Sequence, residues 1–281
     1  MEWRMPPNGH YYDQASDSHP LKGASSVKDI EKYPWPDSAD KERVSGLKEK
    51  MRDIGRDRAV TLSGPFGGPM AMGFRLRGYK QFYLDMANNE KFACSLMDKI
   101  TDLKIKFWSS ALEELGSLID IIVVEEDLGQ QDRTLVSPEM YRKLIKPRHS
   151  RLFKYLTNHT DDNTYLFLHS DGSIYDLIPD LIEMGVDILN PIQVGAANMA
   201  PEKLKSEFGR EITFWGGGVD TQNVLSFGTP EEVRDDVKRR IEAFAPGGGY
   251  VFSTVHNIQP EVPPENIMAM WRALQEFGQY E

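Results

Sequence analysis

From Ala59 onward the chain alternates short apolar runs with longer stretches of helical period. The runs cover 59–63, 120–125, 164–169, 186–191, 212–216 and 250–254, and each closes on glycine, proline or a polar residue. This alternation predicts βαβ units, hence an α/β fold with six visible strands. The intervening periodicity predicts helices over 90–115, 137–158, 174–183, 201–208, 229–244 and 264–277. Two of them begin with strong start signals: Ser137-Pro138-Glu139 and Thr229-Pro230-Glu231-Glu232 each set a capping hydroxyl before a first-turn proline and acidic residues. Residues 1–58 follow another pattern. Prolines at 6, 7, 20, 34 and 36 interrupt them and only 41–54 has helical period, so they are expected to form an arm, with a short hairpin, ahead of a barrel domain at 59–281. The pattern alone is compatible with an eight-stranded barrel short of two strands or with an open doubly wound sheet.

Charge narrows the partners. Lysine and arginine number 33 against 43 aspartates and glutamates, a net charge of −10, and no basic cluster interrupts the excess. Nucleic acid and anionic membranes are therefore not expected. The only cysteine, Cys94, excludes an intrachain disulfide and any multi-cysteine metal site. No apolar run reaches the ~20 residues of a membrane span and the start is polar, so a cytoplasmic location is expected.

In α/β folds, functional groups gather where strands end. The polar residues that follow the apolar runs are Glu125, Glu126 and Asp127; His169, Ser170 and Asp171; Asn190 and Gln193; Asp220 and Gln222; and His256 and Asn257. Gly172 lets the backbone bend beside His169 and Asp171. With His256 they form a set of two imidazoles and a carboxylate, suited to zinc or a redox metal. The same residues also suit a polar pocket of hydrogen-bonding groups. Strand alternation turns Glu125 and Asp127 to one side, so they either share a proton or a cation or form a solvated acidic loop. The triple glycines at 216–218 and 247–249 lack phosphate-loop spacing and are expected to be turns. Phe66, Met70, Met72 and Phe74 are expected to pack in the core rather than floor a flat ligand site.

Four stretches together resemble the uroporphyrinogen decarboxylase superfamily: 166–174 with its His-Ser-Asp-Gly, 188–193 with Asn-Pro-Ile-Gln, 214–222 with Trp-Gly-Gly-Gly-Val-Asp-Thr-Gln, and 255–266 with its closely spaced prolines. The resemblance is strongest to the decarboxylase-like branch that includes corrinoid-dependent methyltransferases. It implies a (β/α)8 TIM barrel in which the visible strands are three to eight and the first two are lacking. The decarboxylase's early R-Q-A-G-R segment and strand-two aspartate have no counterpart here. The methyltransferase branch holds zinc through H-x-C and a later cysteine. His169 matches that histidine, Asp171 replaces the first cysteine, and His256 falls about where the second lies.

The reading that follows is a corrinoid-protein-linked methyltransferase of the O-demethylase type. Its metal ligands are His169, Asp171 and His256, with Glu126 or Asp127 as fourth ligand or general acid. Asn190, Gln193 and Gln222 orient a small-molecule methyl donor, and a separate corrinoid protein accepts the methyl group. The alternatives are a decarboxylase of the tetrapyrrole type and a non-catalytic barrel subunit. The aromatic-rich arm is expected to wrap across the opening left by the missing strands, unless a homodimer or a second chain completes the barrel.

Overall fold

The computed structural model describes residues 1–279 apart from Asn8, His10, Ser16, Asp17, Gly55, Arg56 and Phe66; the packing expectation for Phe66 thus lies outside the described residues. The chain divides into two compact units, Met1–Glu126 with Ser137–Leu166, and Asp127–Val136 with Phe167–Glu281.

The first unit opens with the expected hairpin, in which β1 (Trp3–Arg4) pairs antiparallel with β2 (Asp13–Gln14). The chain that follows is tied to the carbonyl end of a later helix. Gln14 Nε2 donates to Arg75 O at 2.9 Å, and Arg77 Nη1 donates to the carbonyls of Leu21 and Lys22 at 2.7 and 2.8 Å. Trp3 lies over the Arg75 guanidinium at 5.4 Å, yet Trp3, Met5, Tyr11 and Tyr12 stay exposed. A two-residue hairpin has one layer and therefore leaves a face in water. The helix expected at 41–54 is broken into a 3-10 turn (Lys41–Val44) and α2 (Leu47–Ile54); α1 (Val27–Lys32) precedes both.

Within this unit β3 (Thr61–Ser63) runs parallel to β4 (Ile121–Glu125), with Leu62 opposite Ile122. Between them stand α3 (Pro69–Arg77), α4 (Tyr79–Asn88) and α5 (Glu90–Leu115). After β4 come α6 (Pro138–Met140), a π-helical turn at Tyr141–Ile145, and α7 (Lys146–Asn158). Ser137 caps α6 by accepting from Met140 N at 3.1 Å, as its start signal predicts. Met70, Phe82, Phe92, Trp108, Tyr141 and Phe153 fill the core; Phe74 is buried with them and Met72 is half-buried.

Lys104 on α5 is only 8% exposed, and its Nζ donates to Pro65 O at 2.7 Å. Burial drives its pKa from 10.5 down to about 8, against the opposing pull of the Glu126 and Glu125 carboxylates. Because the folded pKa lies below the unfolded one, the penalty for charging Lys104 is present in full below pH 8. It is relieved as the pH rises toward the unfolded value. Lys104→Met is therefore expected to raise stability at pH 7 by about 1–3 kcal/mol, with the gain shrinking above pH 8. Thermal melts across pH 7–10 check this, and a variant less stable than wild type at pH 7 would refute it.

The second unit resumes at Phe167 within β5 (Tyr165–His169) and continues through α8 (Ile178–Glu183), β6 (Ile188–Asn190), α9 (Pro201–Phe208) and β7 (Thr213–Trp215). It ends with α10 (Val224–Phe227), α11 (Pro230–Phe244), β8 (Tyr250–Val251) and α12 (Pro264–Phe277). Each strand pairs in parallel with the next: Phe167 opposite Ile188, Leu189 opposite Phe214, Trp215 opposite Val251. Thr229 caps α11 with Glu232 in the reciprocal arrangement that its sequence predicts. Leu168, Leu189, Leu204, Phe214, Val237 and Phe244 form the core. Beneath it Asp236 is fully buried; it accepts from Asp220 N at 2.8 Å and pairs with Arg239 and Arg240 at 2.9 and 3.0 Å. Among the described residues no helix is long and apolar enough to cross a membrane.

Candidate metal centre

The register of β5 against β6 sets His169 opposite Asn190. Paired residues on adjacent strands project to the same face within reach of each other. The consequence is a hydrogen bond of 2.7 Å between His169 Nδ1 and Asn190 Oδ1. Its direction follows from the far end of the amide. Asn190 Nδ2 donates to Trp215 O at 2.9 Å, and a carbonyl can only accept, so Oδ1 must face the histidine and Nδ1 must carry the proton. The Trp215 carbonyl thus fixes the Asn190 amide, and the amide commits His169 to offering Nε2 to whatever lies in front of it.

In front of it lie Asp171 and His256. Asp171 Oδ2 is 3.8 Å from His169 Nε2 and 3.9 Å from His256 Nε2, and the two imidazoles meet edge to face with centroids 5.8 Å apart. One ligand atom from each residue lies within 4.8 Å of the others, and all three side chains are half-buried. Burial alone would depress the His169 pKa. The Asp171 carboxylate, the Asn190 acceptor and the Asp127 charge outweigh it and raise the pKa to about 9.

The donor set fits a divalent metal. Ligands bound at ~2.1 Å around a tetrahedral ion lie about 3.4 Å apart, so each imidazole must approach the Asp171 carboxylate by about half an ångström, while the widest separation, within 4.8 Å, closes by up to about 1.4 Å through side-chain rotation. Two imidazoles and a carboxylate occupy three positions and leave room for water or substrate, the arrangement of catalytic rather than structural sites.

The neighbouring polar groups are largely engaged within the protein. Asp127 is exposed, and its Oδ1 accepts from Asp171 N at 3.2 Å. Gln193 accepts from Gly172 N at 2.9 Å and donates to Gln131 Oε1 at 2.7 Å; Gln222 reaches the same Gln131 oxygen at 3.4 Å. Gln131, which ties these amides together, carries no sequence signal beyond its place in a polar loop after a strand. Gly129 and Gly172 meet backbone to backbone: a Cβ on Gly172, which sits at φ +84°, would come within 2.4 Å of Gly129 C. Only glycine permits that approach.

Glu126, the other acid expected at the site, belongs to the first unit and is 2% exposed. Its carboxylate accepts from Met70 N at 3.0 Å and Ala71 N at 2.7 Å, at the start of α3, and pairs with His149 Nε2 at 3.0 Å. His149 Nδ1 in turn meets the Tyr141 hydroxyl at 3.1 Å. The expectation of a fourth ligand or general acid at this position thus meets a carboxylate whose oxygens already serve a helix N-terminus and a buried histidine.

The family model for uroporphyrinogen decarboxylase (URO-D) matches residues 13–277. A uroporphyrinogen decarboxylase from Alkalilimnicola ehrlichii is 23% identical across 98% of this chain and 71% of its own length. One from Thermus thermophilus is 23% identical across 84% of this chain and 66% of its own. The methylcobamide:CoM methyltransferase MtaA of Methanosarcina barkeri is 23% identical across 83% and 63%. A solved methyltransferase from Methanosarcina mazei shares the fold with a TM-score of 0.63 and 21% identity, over 83% of this chain and 63% of that one. The chain thus spans about two thirds of the length of these relatives. The fold is α/β of the TIM-barrel family.

Proposed function

Because the chain belongs to the uroporphyrinogen decarboxylase family, we propose that it works as a corrinoid-protein-linked methyltransferase of the O-demethylase type, with a divalent metal held by His169, Asp171 and His256. The observation that carries this reading is the convergence of those three side chains in front of an orienting Asn190. A relative named for methylcobamide supports it. A metal bound there supplies Lewis acidity to the ether oxygen or heteroatom that gives up its methyl group.

The chain's own residues do the rest. Asn190 fixes the His169 tautomer, and so acts on the ligand rather than on substrate. Asp127 places a carboxylate beside the ligand turn, where it accepts from Asp171 N and serves as the fourth ligand, the proton for the departing oxygen coming from solvent. Gln222, exposed at the same cluster, is the amide available to orient the methyl donor. Glu126 serves the packing of the first unit. Residues 59–281 form the catalytic barrel and 1–58 the arm.

A second reading, tetrapyrrole decarboxylation, is favoured by the relatives that carry the decarboxylase name over nearly the whole chain. One pair of measurements separates the two. Methyl transfer requires that one equivalent of metal survive dialysis and that a methoxylated donor methylate an added corrinoid protein. Coproporphyrinogen formation from uroporphyrinogen without metal would establish the second reading and refute the first. Asn190→Ala is expected to weaken metal binding about 10- to 100-fold, as removal of an orienting partner does. Competition against a chromophoric chelator measures this, and wild-type affinity would show that the amide does not orient the ligand.

A further inference from the structure

Asp171 sits on a turn whose four successive backbone amides each have a separate anchor. Ser170 N donates to Asn190 O at 2.8 Å, Asp171 N to Asp127 Oδ1 at 3.2 Å, Gly172 N to Gln193 Oε1 at 2.9 Å and Ser173 N to Gln130 O at 2.8 Å. Backbone N–H groups on a turn find their partners in other backbone, in side chains or in water. Here side chains and neighbouring loops supply them, and the Gly129–Gly172 contact leaves no room for a side chain between the two turns.

The Gln193 anchor is set from both ends. Gly172 N–H can only donate, so the Gln193 side-chain oxygen must face it and Nε2 must face Gln131. The Gln131 oxygen then accepts, and its own Nε2 donates to Gly195 O at 2.7 Å, a carbonyl that can only accept. Two amides in series therefore span from a backbone donor to a backbone acceptor, with no alternative orientation that keeps all three bonds.

We propose that Gln193 is a positioning residue that acts through the Gly172 amide to hold the Asp171 carboxylate between the two histidines, with Gln131 as its support. This rests on the reading of His169, Asp171 and His256 as metal ligands. The glutamine adds nothing to the apolar core, being half-buried on the loop after β6. What its amide secures is the direction of one ligand. It is an outer-shell group that sets metal affinity without touching the metal.

The test uses Co2+, whose visible absorption reports its coordination, with the full chain and its Gln193→Ala variant. Three results are expected in the variant: Co2+ affinity about 10- to 100-fold lower with an altered spectrum, faster hydrogen exchange at Gly172 in the metal-free protein, and an unchanged melting temperature without metal. Gln131→Leu should shift the first two in the same direction by less, and it carries the test if Gln193→Ala does not fold. An unchanged Co2+ affinity and spectrum, or a Gly172 amide as protected as in wild type, overturns the positioning role. Failure of the wild-type protein to bind Co2+ overturns instead the metal reading, and the role of Gln193 with it. The exchange measurement then still reports whether Gln193 holds the turn.

Discussion

His169→Ala is expected to lose the metal: affinity for a divalent ion should fall by more than about 100-fold, and methyl transfer should fall with it, while the fold survives. His169 supplies one of the three converging donors, and the protein fixes its tautomer in advance. Outer-shell partners alone are worth about 10- to 100-fold, and a direct ligand contributes more. The fold should tolerate the change because the imidazole is half-buried at the carboxyl end of β5, where residues serve the site more than the core. Metal content after dialysis, read beside the melting temperature, checks the expectation. Full metal occupancy in the variant would show that other residues hold the ion.

Glu126→Leu is expected to damage the protein in the opposite way, sparing ligand chemistry and costing stability. The substitution leaves two amides at the start of α3 without their acceptor and strips His149, 1% exposed, of its carboxylate. Each buried group left without its partner costs about 1–3 kcal/mol, so the loss is on the order of 3–5 kcal/mol. In a chain of this size that corresponds to a fall in melting temperature on the order of 10 °C. A much smaller fall in a calorimetric scan would mean that the first unit does not depend on this junction.

How much of this the sequence shows depends on what each signal measures. Helices α5, α9 and α12 begin and end where the periodicity and caps place them, because Asn89, Pro201 and Pro264 mark real starts. Helices α3 and α4 escape the same reading. Gly73 and the glycines before Pro69 resemble loop, and Met70, Gly73, Phe74, Leu76 and Arg77 are all buried, so α3 shows no polar face to betray its period. The alternation around 125–127 carries more than its charge does. A period of two turns Glu126 away from Glu125 and Asp127, and the structure buries Glu126 while leaving Asp127 exposed. The cluster of His169, Asp171 and His256 is legible because His169 closes β5, Asp171 lies two residues beyond it and His256 stands in the loop after β8. His149 is not, since its role is made by a π-helical turn and a partner 23 residues away.

The backbone contact between Gly129 and Gly172 also bears on how this site can change over generations. A Cβ on Gly129 would stand 2.7 Å from both Asp171 O and Ser173 N, and one on Gly172 would strike the other loop harder still. The first substitution at either glycine should force the loops apart, and once they are apart the second should cost less, with only the strain of the Gly172 φ of +84° left at that position, so the two changes are epistatic rather than additive. A lineage, or a mutant library, that explores new ligand geometry by lengthening or decorating one turn must remodel both together. Single-position scans should therefore make this corner look far less evolvable than it is.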